Sequence, residues 1–174
     1  MKVSIKNFQI FSAIFVMILG TLLHFTYEWS GENSLVASFS AVNESTWEHL
    51  KLLFYPMLLT TIIGYFYFGK NKHNFLCANA IGILTAISFT TVFFYTYTGI
   101  FGPNFAFLDI GSFFVAVILG EFITYRLLLT NFVCNKRFAF IVLVVLLLCF
   151  VLFTYAPPEI GLFRDPISNG FGIQ

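Results

Sequence analysis

Charged residues are scarce in this 174-residue chain, which has nine Lys or Arg and eight Asp or Glu. The cations form no basic stripe of the kind that binds phosphates, so the sequence predicts no nucleic-acid partner. With 59% hydrophobic and 10% charged residues, the composition also differs from that of a soluble globular domain. The chain is therefore predicted to be an integral membrane protein whose main partner is the lipid bilayer.

Cysteine is also rare, and its pattern excludes the usual cysteine chemistry. Cys77, Cys134 and Cys149 are scattered through apolar or near-membrane segments, and there is no C-x-x-C motif. This pattern predicts neither a disulfide framework nor a cysteine metal site. The three side chains are predicted to be small packing residues.

Long apolar runs make up most of the sequence. A helix that spans a bilayer needs about 20 mostly apolar residues. Five runs meet this requirement: 8–27, 50–69, 75–98, 107–129 and 138–155. The first run continues to about residue 29 without a small-x-small cleavage site, so we expect a retained helix and not a signal peptide. The predicted fold is an all-α membrane protein with five transmembrane helices, forming one polytopic domain over residues 1–174.

The distribution of cations predicts the orientation of these helices. One face carries most of them: Lys2, Lys6, Lys70, Lys72, Arg126, Lys136 and Arg137. Only Lys51 and Arg164 remain for the opposite face. The positive-inside rule then places the N-terminus in the cytoplasm and the C-terminus outside. Segment 28–49 and the tail 157–174 are predicted to face outward.

Segment 24–51 holds the densest group of polar residues: half of the carboxylates, two of the three histidines and both tryptophans. Ionisable groups are costly near lipid, so such a cluster is a functional-site hypothesis. His24 and Glu28 are four residues apart and share a helix face. Ser45 and Glu48 match a capping box, which predicts a helix that begins at Thr46. Residues 35–42 are predicted to form a short outward helical or re-entrant segment.

This spacing predicts a candidate metal site. If helical geometry began at Glu44, then Glu44, Glu48 and Lys51 would line one face. Imidazole and carboxylate groups on neighbouring helices are suitable ligands for a divalent metal. The predicted ligands are His24, Glu28, Glu48 and His49. Such a metal could activate a water for hydrolysis, although the Lys51 ammonium disfavours a cation beside it.

Other polar residues lie outside this segment. Asp109 could complete the outward cluster or serve only as a favourable carboxylate at a helix N-terminus. Arg164 and Asp165 offer a charge pair in a tail whose apolar residues predict a lid over the outer surface. Glu121 lies deep in the fourth span, either as a structural partner of Arg126 or as a proton or ion site.

Three patches of the chain together resemble a family of small, uncharacterised polytopic membrane proteins from Gram-positive bacteria: 24–31, 42–51 and 162–166. The resemblance implies a multi-pass protein of the bacterial cell membrane, and it implies no activity. Two other five-helix families fit poorly. The tryptophan-rich sensory proteins would need Trp-Pro-Pro signatures, and the quinone-linked disulfide-forming enzymes would need C-x-x-C.

Three functions stay open. The first is an outward site that binds or transports a small polar or cationic ligand, which predicts an open cavity. Its predicted residues are His24, Glu28, Glu44, Glu48, His49, Lys51, Asp109, Arg164 and Asp165. The second is a metal-dependent membrane hydrolase, which predicts a stoichiometric divalent metal. The third is a structural or accessory subunit, which predicts polar groups that satisfy one another and leave no cavity.

Overall fold

The computed structural model describes residues 4–173, and this part of the chain is helical. Its helices are α1 (Ile5–Trp29), α2 (Ser34–Ala37), α3 (Thr46–Phe68), α4 (Phe75–Phe101), α5 (Ala106–Leu128) and α6 (Lys136–Tyr155). A 3₁₀ turn covers Gly161–Phe163. Residues 4–173 contain no β-strand, only an isolated bridge between Arg164 and Phe171. The predicted all-α fold is confirmed.

Five of the helices are long and apolar enough to cross a membrane: α1, α3, α4, α5 and α6. They contain 20 to 27 residues, so each is about 30 to 40 Å long. The short α2 lies between the first two of them, where an outward helical or re-entrant segment was predicted. The five-helix prediction is confirmed, whereas the orientation stays a prediction. Lys2, which contributed to that prediction, lies outside the described residues.

Side-chain caps mark where α1 and α3 begin. Ser4 Oγ accepts a hydrogen bond from the Asn7 N–H at 3.1 Å, and Ser45 Oγ accepts one from the Glu48 N–H at 3.4 Å. Such a cap satisfies a backbone donor that has no partner within the helix. The predicted start of α3 at Thr46 is therefore confirmed. The reciprocal half of the capping box is not formed, because the Ser45 N–H donates to Asn43 Oδ1.

Four helices form a closed ring, in which α1 packs against α3 and α5, and α4 packs against the same two helices. The sixth helix lies outside this ring against α4 and α3. Val16, Phe54, Ile83 and Val117 meet in the shared core. Large apolar side chains on the outer side of α6 stay exposed, as expected for a lipid-facing surface.

Glycines allow the helix backbones to approach closely. A Cβ atom on Gly82 of α4 would lie 2.0 Å from Thr124 Oγ1 and 2.6 Å from the Gly120 carbonyl oxygen. A Cβ atom on Gly20 of α1 would lie 2.5 Å from the Leu52 carbonyl oxygen of α3. Small residues at helix contacts are common in membranes, where close packing drives association.

The two ends of the bundle differ in their polar groups. We call the end that carries His24, Glu44 and His49 the histidine end. The opposite end, which carries Lys6 and the connections 69–74 and 129–135, is the lysine end. The first connection is bound to the end of α5 by hydrogen bonds from Lys72 Nζ to the Leu128 carbonyl and from Asn74 to the Leu127 carbonyl. Asn74 also donates to the Thr130 carbonyl in the second connection.

The prediction of unpaired cysteines is wrong. Cys77 at the start of α4 forms a disulfide with Cys134 in the connection before α6, and only Cys149 is free. The two partners are 57 residues apart in sequence, and no local sequence motif predicts such a pair. The bond links α4 to the connection that leads into α6, the helix outside the four-helix ring.

We expect Gly82→Ala to lower the melting temperature of the purified protein, because the added methyl group meets backbone and side-chain atoms of α5. Overpacking of this kind costs about 1–3 kcal/mol. Gly99→Ala on the same helix is the matched control, since a Cβ there meets nothing within 4 Å. Equal melting temperatures for the two variants, measured by circular dichroism in detergent, would contradict the close approach of α4 and α5.

The disulfide predicts a thiol count. Protein whose thiols are alkylated during cell lysis should carry one modified cysteine, Cys149, before reduction and three after reduction, as counted by mass spectrometry. Three modified cysteines before reduction would show that the bond is absent in the cell. The result also tests the predicted orientation. Disulfides persist in oxidising compartments, so a bond that is present in the cell would argue against the cytoplasmic location of the lysine end that the cation distribution predicts.

Candidate functional site

A cavity of about 410 Å³ opens at the histidine end. It lies between the last turns of α1, the connector (residues 30–45, between α1 and α3) and the tail (residues 156–173). Its polar lining consists of His24, Tyr27, Asn43 and four carboxylates, Glu28, Glu32, Glu44 and Asp165. No Lys or Arg lies among the described residues that line it. The cavity is therefore acidic and suited to a cationic ligand.

Two histidines meet one carboxylate beside this cavity. His24 Nε2 lies 3.6 Å from Glu44 Oε1, and His49 Nε2 lies 3.3 Å from Glu44 Oε2. One ligand atom from each residue lies within 4.8 Å of the others. The two imidazole rings are stacked with centroids 5.3 Å apart. We call His24, Glu44 and His49 the triad.

The triad is assembled from three separate parts of the chain. His24 lies near the end of α1, and His49 lies in the first turns of α3. Glu44 precedes the N-cap Ser45, so it belongs to the connector and not to a helix. The hydrogen bond with His49 holds the pKa of Glu44 below its usual value, and burial acts in the opposite direction.

The tail supports Glu44 from the other side. The backbone of Glu44 lies close enough to the Asp165 carboxylate to lower its pKa. Burial raises the pKa of Asp165, but hydrogen bonds from Ser168 and Ile167, together with the Glu44 backbone, outweigh this effect, so its pKa lies below the usual value. Asn43 Nδ2 also donates to the Gly172 carbonyl at 2.9 Å. The tail thus lies against the connector at the cavity.

Below the triad lies a fully buried ion pair. Lys51 Nζ lies 2.5 Å from Glu48 Oε2, and the two side chains are 0% and 2% exposed. Lys51 Nζ also donates to the Ala37 carbonyl and to Thr154 Oγ1, each at 2.8 Å. Glu48 Oε2 in turn accepts from the Val42 N–H at 3.1 Å. All three ammonium hydrogens have acceptors, so Lys51 is committed to this network.

The same network holds the connector in place. Tyr55 OH donates to the Ser38 carbonyl at 2.6 Å. Ser40 Oγ donates to the Leu23 carbonyl and accepts from the Tyr27 N–H. The connector, most of which has no regular structure, is thus fixed by backbone groups of α1 and by a side chain of α3.

An aromatic cluster joins the tail to α3 and α6. The Trp47 ring centroid lies 4.8 Å from that of Phe163 in the tail, 4.5 Å from Phe150 and 5.6 Å from Phe153. Phe163 is 4% exposed. This packing places the apolar part of the tail over the histidine end.

The predicted site residues lie in separate parts of the structure. His24, Glu44 and His49 form the triad, and Glu28 and Asp165 line the cavity. Glu48 and Lys51 form the buried pair below it. Asp109 is bound instead by Tyr97 OH, and Arg164 is exposed with no ion pair among residues 4–173.

Sequence reasoning missed some of the residues that complete the site. Thr154, at the end of α6, binds both members of the buried pair, and Asn43 and Glu32 line the cavity. Glu44 was expected to bind a ligand but was not among the predicted metal ligands. The signal that could have shown this is its position just before the N-cap, where helical spacing no longer applies.

Comparison with known families gives one result. A family model described as "Family of unknown function (DUF6512)" matches residues 1–173. The chain belongs to DUF6512. The resemblance to an uncharacterised family is thereby confirmed. No curated protein and no solved structure matches this DUF6512 chain, so its function has to be argued from its own residues.

For the buried pair of this DUF6512 chain, we expect the losses of folding stability caused by two substitutions to be non-additive. Glu48→Gln and Lys51→Met should each destabilise the fold by about 3–5 kcal/mol, because each leaves one buried charge uncompensated. The double variant should lose much less than the sum of the two. Thermal unfolding in detergent measures all three, with Glu159→Gln at an exposed position as control. Additive losses would show that the two charges do not interact.

Proposed function

We propose that this multi-pass membrane protein binds a divalent transition-metal cation at the triad of His24, Glu44 and His49. The observation that carries the proposal is the convergence of two imidazoles and one carboxylate within 4.8 Å at the wall of an acidic cavity. Histidine nitrogens and carboxylate oxygens at this spacing are the donors that zinc, manganese and iron accept.

The electrostatics of the cavity support a cation. Glu28, Glu32 and Asp165 add carboxylates around the triad without a lining Lys or Arg from the described chain. Lys51 was expected to oppose metal binding, but its ammonium is turned to Glu48 and fully buried. A cleft lined by one sign of charge raises the local concentration of counter-ions.

Two features argue against a purely structural role for the triad. A structural network would leave its polar groups satisfied, yet His24 Nδ1 is buried and has no hydrogen-bond partner among residues 4–173. A structural network would also leave no cavity, whereas one of about 410 Å³ adjoins the triad. The buried pair, by contrast, has the satisfied geometry expected of a structural element.

The predicted orientation would place this site outside the cytoplasmic membrane of a bacterium. Asp165 and Ile167 of the tail line the cavity, so the tail would act as a lid whose seating controls access. The ligand would enter from the aqueous side at the histidine end.

The proposal is tested by metal binding to the full purified chain. After removal of metals with a chelator and dialysis against Zn²⁺ or Mn²⁺, elemental analysis should find one metal per chain. A ligand at 100 times its dissociation constant stabilises the folded state by about 2.7 kcal/mol, so the melting temperature should also rise. His24→Ala, Glu44→Gln and His49→Ala should remove both effects.

Matched controls are available in the chain. His73 is an exposed histidine at the lysine end, and Glu159 is an exposed carboxylate outside the cavity. His73→Ala and Glu159→Gln should keep the stoichiometric metal. The proposal fails if the wild-type protein binds no metal, or if triad variants that remain folded by circular dichroism bind as much as the wild type.

Metal-dependent hydrolysis is a second candidate function. It is favoured by the number of ligands, because catalytic zinc sites have three protein ligands and an open position, whereas structural sites have four. The open position would face the cavity and could hold a water that the metal activates. Turnover of ester or phosphoester substrates that requires metal and is lost in His49→Ala would support it. Stoichiometric metal binding without turnover would support the metal-binding function and contradict the hydrolase function.

A further inference from the structure

One further buried carboxyl group lies away from the histidine end. Glu121 on α5 is 6% exposed and lies seven residues before the end of that helix, or about 10 Å along its axis. Ser12 Oγ of α1 donates a hydrogen bond to Glu121 Oε1 at 2.6 Å. The histidine end is remote, since His24 is twelve residues further along α1 than Ser12, or about 18 Å.

No cation neutralises this group within the described chain. Arg126 was one expected partner, but its guanidinium carbon lies 5.8 Å from the centroid of the Phe122 ring, and its side chain is exposed. None of the ion pairs among residues 4–173 includes Glu121. A buried acidic side chain without a cation is strongly disfavoured in its charged form.

An unpartnered amide lies one helical turn from Ser12. Gln9 precedes Ser12 by three residues, so the two share the face of α1 that packs against α5. Gln9 is 5% exposed, and neither its Nε2 nor its Oε1 has a hydrogen-bond partner in residues 4–173. A buried amide with a free donor and a free acceptor is a suitable anchor for a water.

We propose that Glu121, Ser12 and Gln9 form a proton-binding site within the membrane. The Glu121 carboxyl group takes up and releases the proton, Ser12 orients it, and the Gln9 amide holds a water on the side toward the lysine end. A carboxyl group, a hydroxyl group and an amide are the polar groups that a proton relay uses. The site does not depend on metal binding at the triad.

Among residues 4–173, the side chain that hydrogen-bonds to Glu121 is Ser12, and no ionisable group forms a hydrogen bond or ion pair with it. On α1, Lys6 is exposed at the lysine end, and the other ionisable groups lie near the histidine end. On α4, Tyr97 is bound to Asp109, and on α3, Glu48 and Lys51 pair with each other. The remaining ionisable side chains of α3, α4 and α5, apart from the disulfide-bonded Cys77, are His49, Tyr55, Tyr65, Tyr67, Tyr95, Tyr125 and Arg126.

The test is labelling of the full chain in detergent with dicyclohexylcarbodiimide, an apolar reagent that reacts with protonated carboxyl groups. Peptide mass spectrometry should find the adduct on Glu121, and its rate should fall as the pH rises and the group loses its proton. Glu121→Gln should lose the adduct. Asp109→Asn, which changes the other carboxylate of α5, should keep it.

Substitutions of Gln9 and Ser12 test whether these residues belong to the proton-binding site or whether Glu121 is an isolated carboxyl group. Gln9→Leu and Ser12→Ala, which keep Glu121, should each shift the pH at which the labelling rate is half-maximal. The proposal is overturned if wild-type Glu121 is not labelled, or if its labelling is independent of pH or unaffected by both substitutions. Protection by sodium chloride, but not by choline chloride, would reassign the site from a proton to Na⁺.

Discussion

The buried ion pair between Glu48 and Lys51 is the constraint on which the rest of the histidine end depends. Two opposite charges removed from water are tolerated only when their remaining hydrogen-bonding capacity is met inside the protein. Lys51 donates hydrogen bonds to oxygens of the connector and of α6, and Glu48 accepts one from an N–H of the connector. The connector, the start of α3 and the end of α6, which is 103 residues from Lys51 in sequence, therefore converge on one pair. Because His49 directly follows Glu48, the pair also fixes the position of the triad.

The sequence predicts the helices and the location of the site, but not which side chains meet. Long apolar runs and a helix cap are local patterns, so the five spans and the start at Thr46 could be read directly. The alternative in which Glu44 shares a helix face with Glu48 is not formed, also for a local reason. That alignment needs helical geometry from Glu44 onward, but the N-cap is Ser45 and the helix begins at Thr46. Glu44 consequently turns to His24 and His49, while Glu48 turns inward to Lys51.

Contacts between distant parts of the chain were beyond sequence reasoning. Nothing in the spacing of Cys77 and Cys134 indicates a bond across 57 residues. Ser12 as the partner of Glu121 is 109 residues away, whereas the expected partner Arg126 is nearby in sequence but turned to Phe122. Both outcomes follow from helix packing, which places residues of α1 beside α5 and the start of α4 beside the connection to α6. A single sequence does not show which residues of one helix contact which residues of another.

The packing of Trp47 gives the histidine end an optical signal. The chain has two tryptophans, of which Trp29 is 67% exposed while Trp47 is enclosed by Phe150, Phe153 and the tail residue Phe163. An indole among apolar rings emits at shorter wavelength than a hydrated one. A chain with Trp29→Phe would hold a single emitter whose spectrum depends on the tail. Seating and release of the tail could then be followed in real time, without any attached dye.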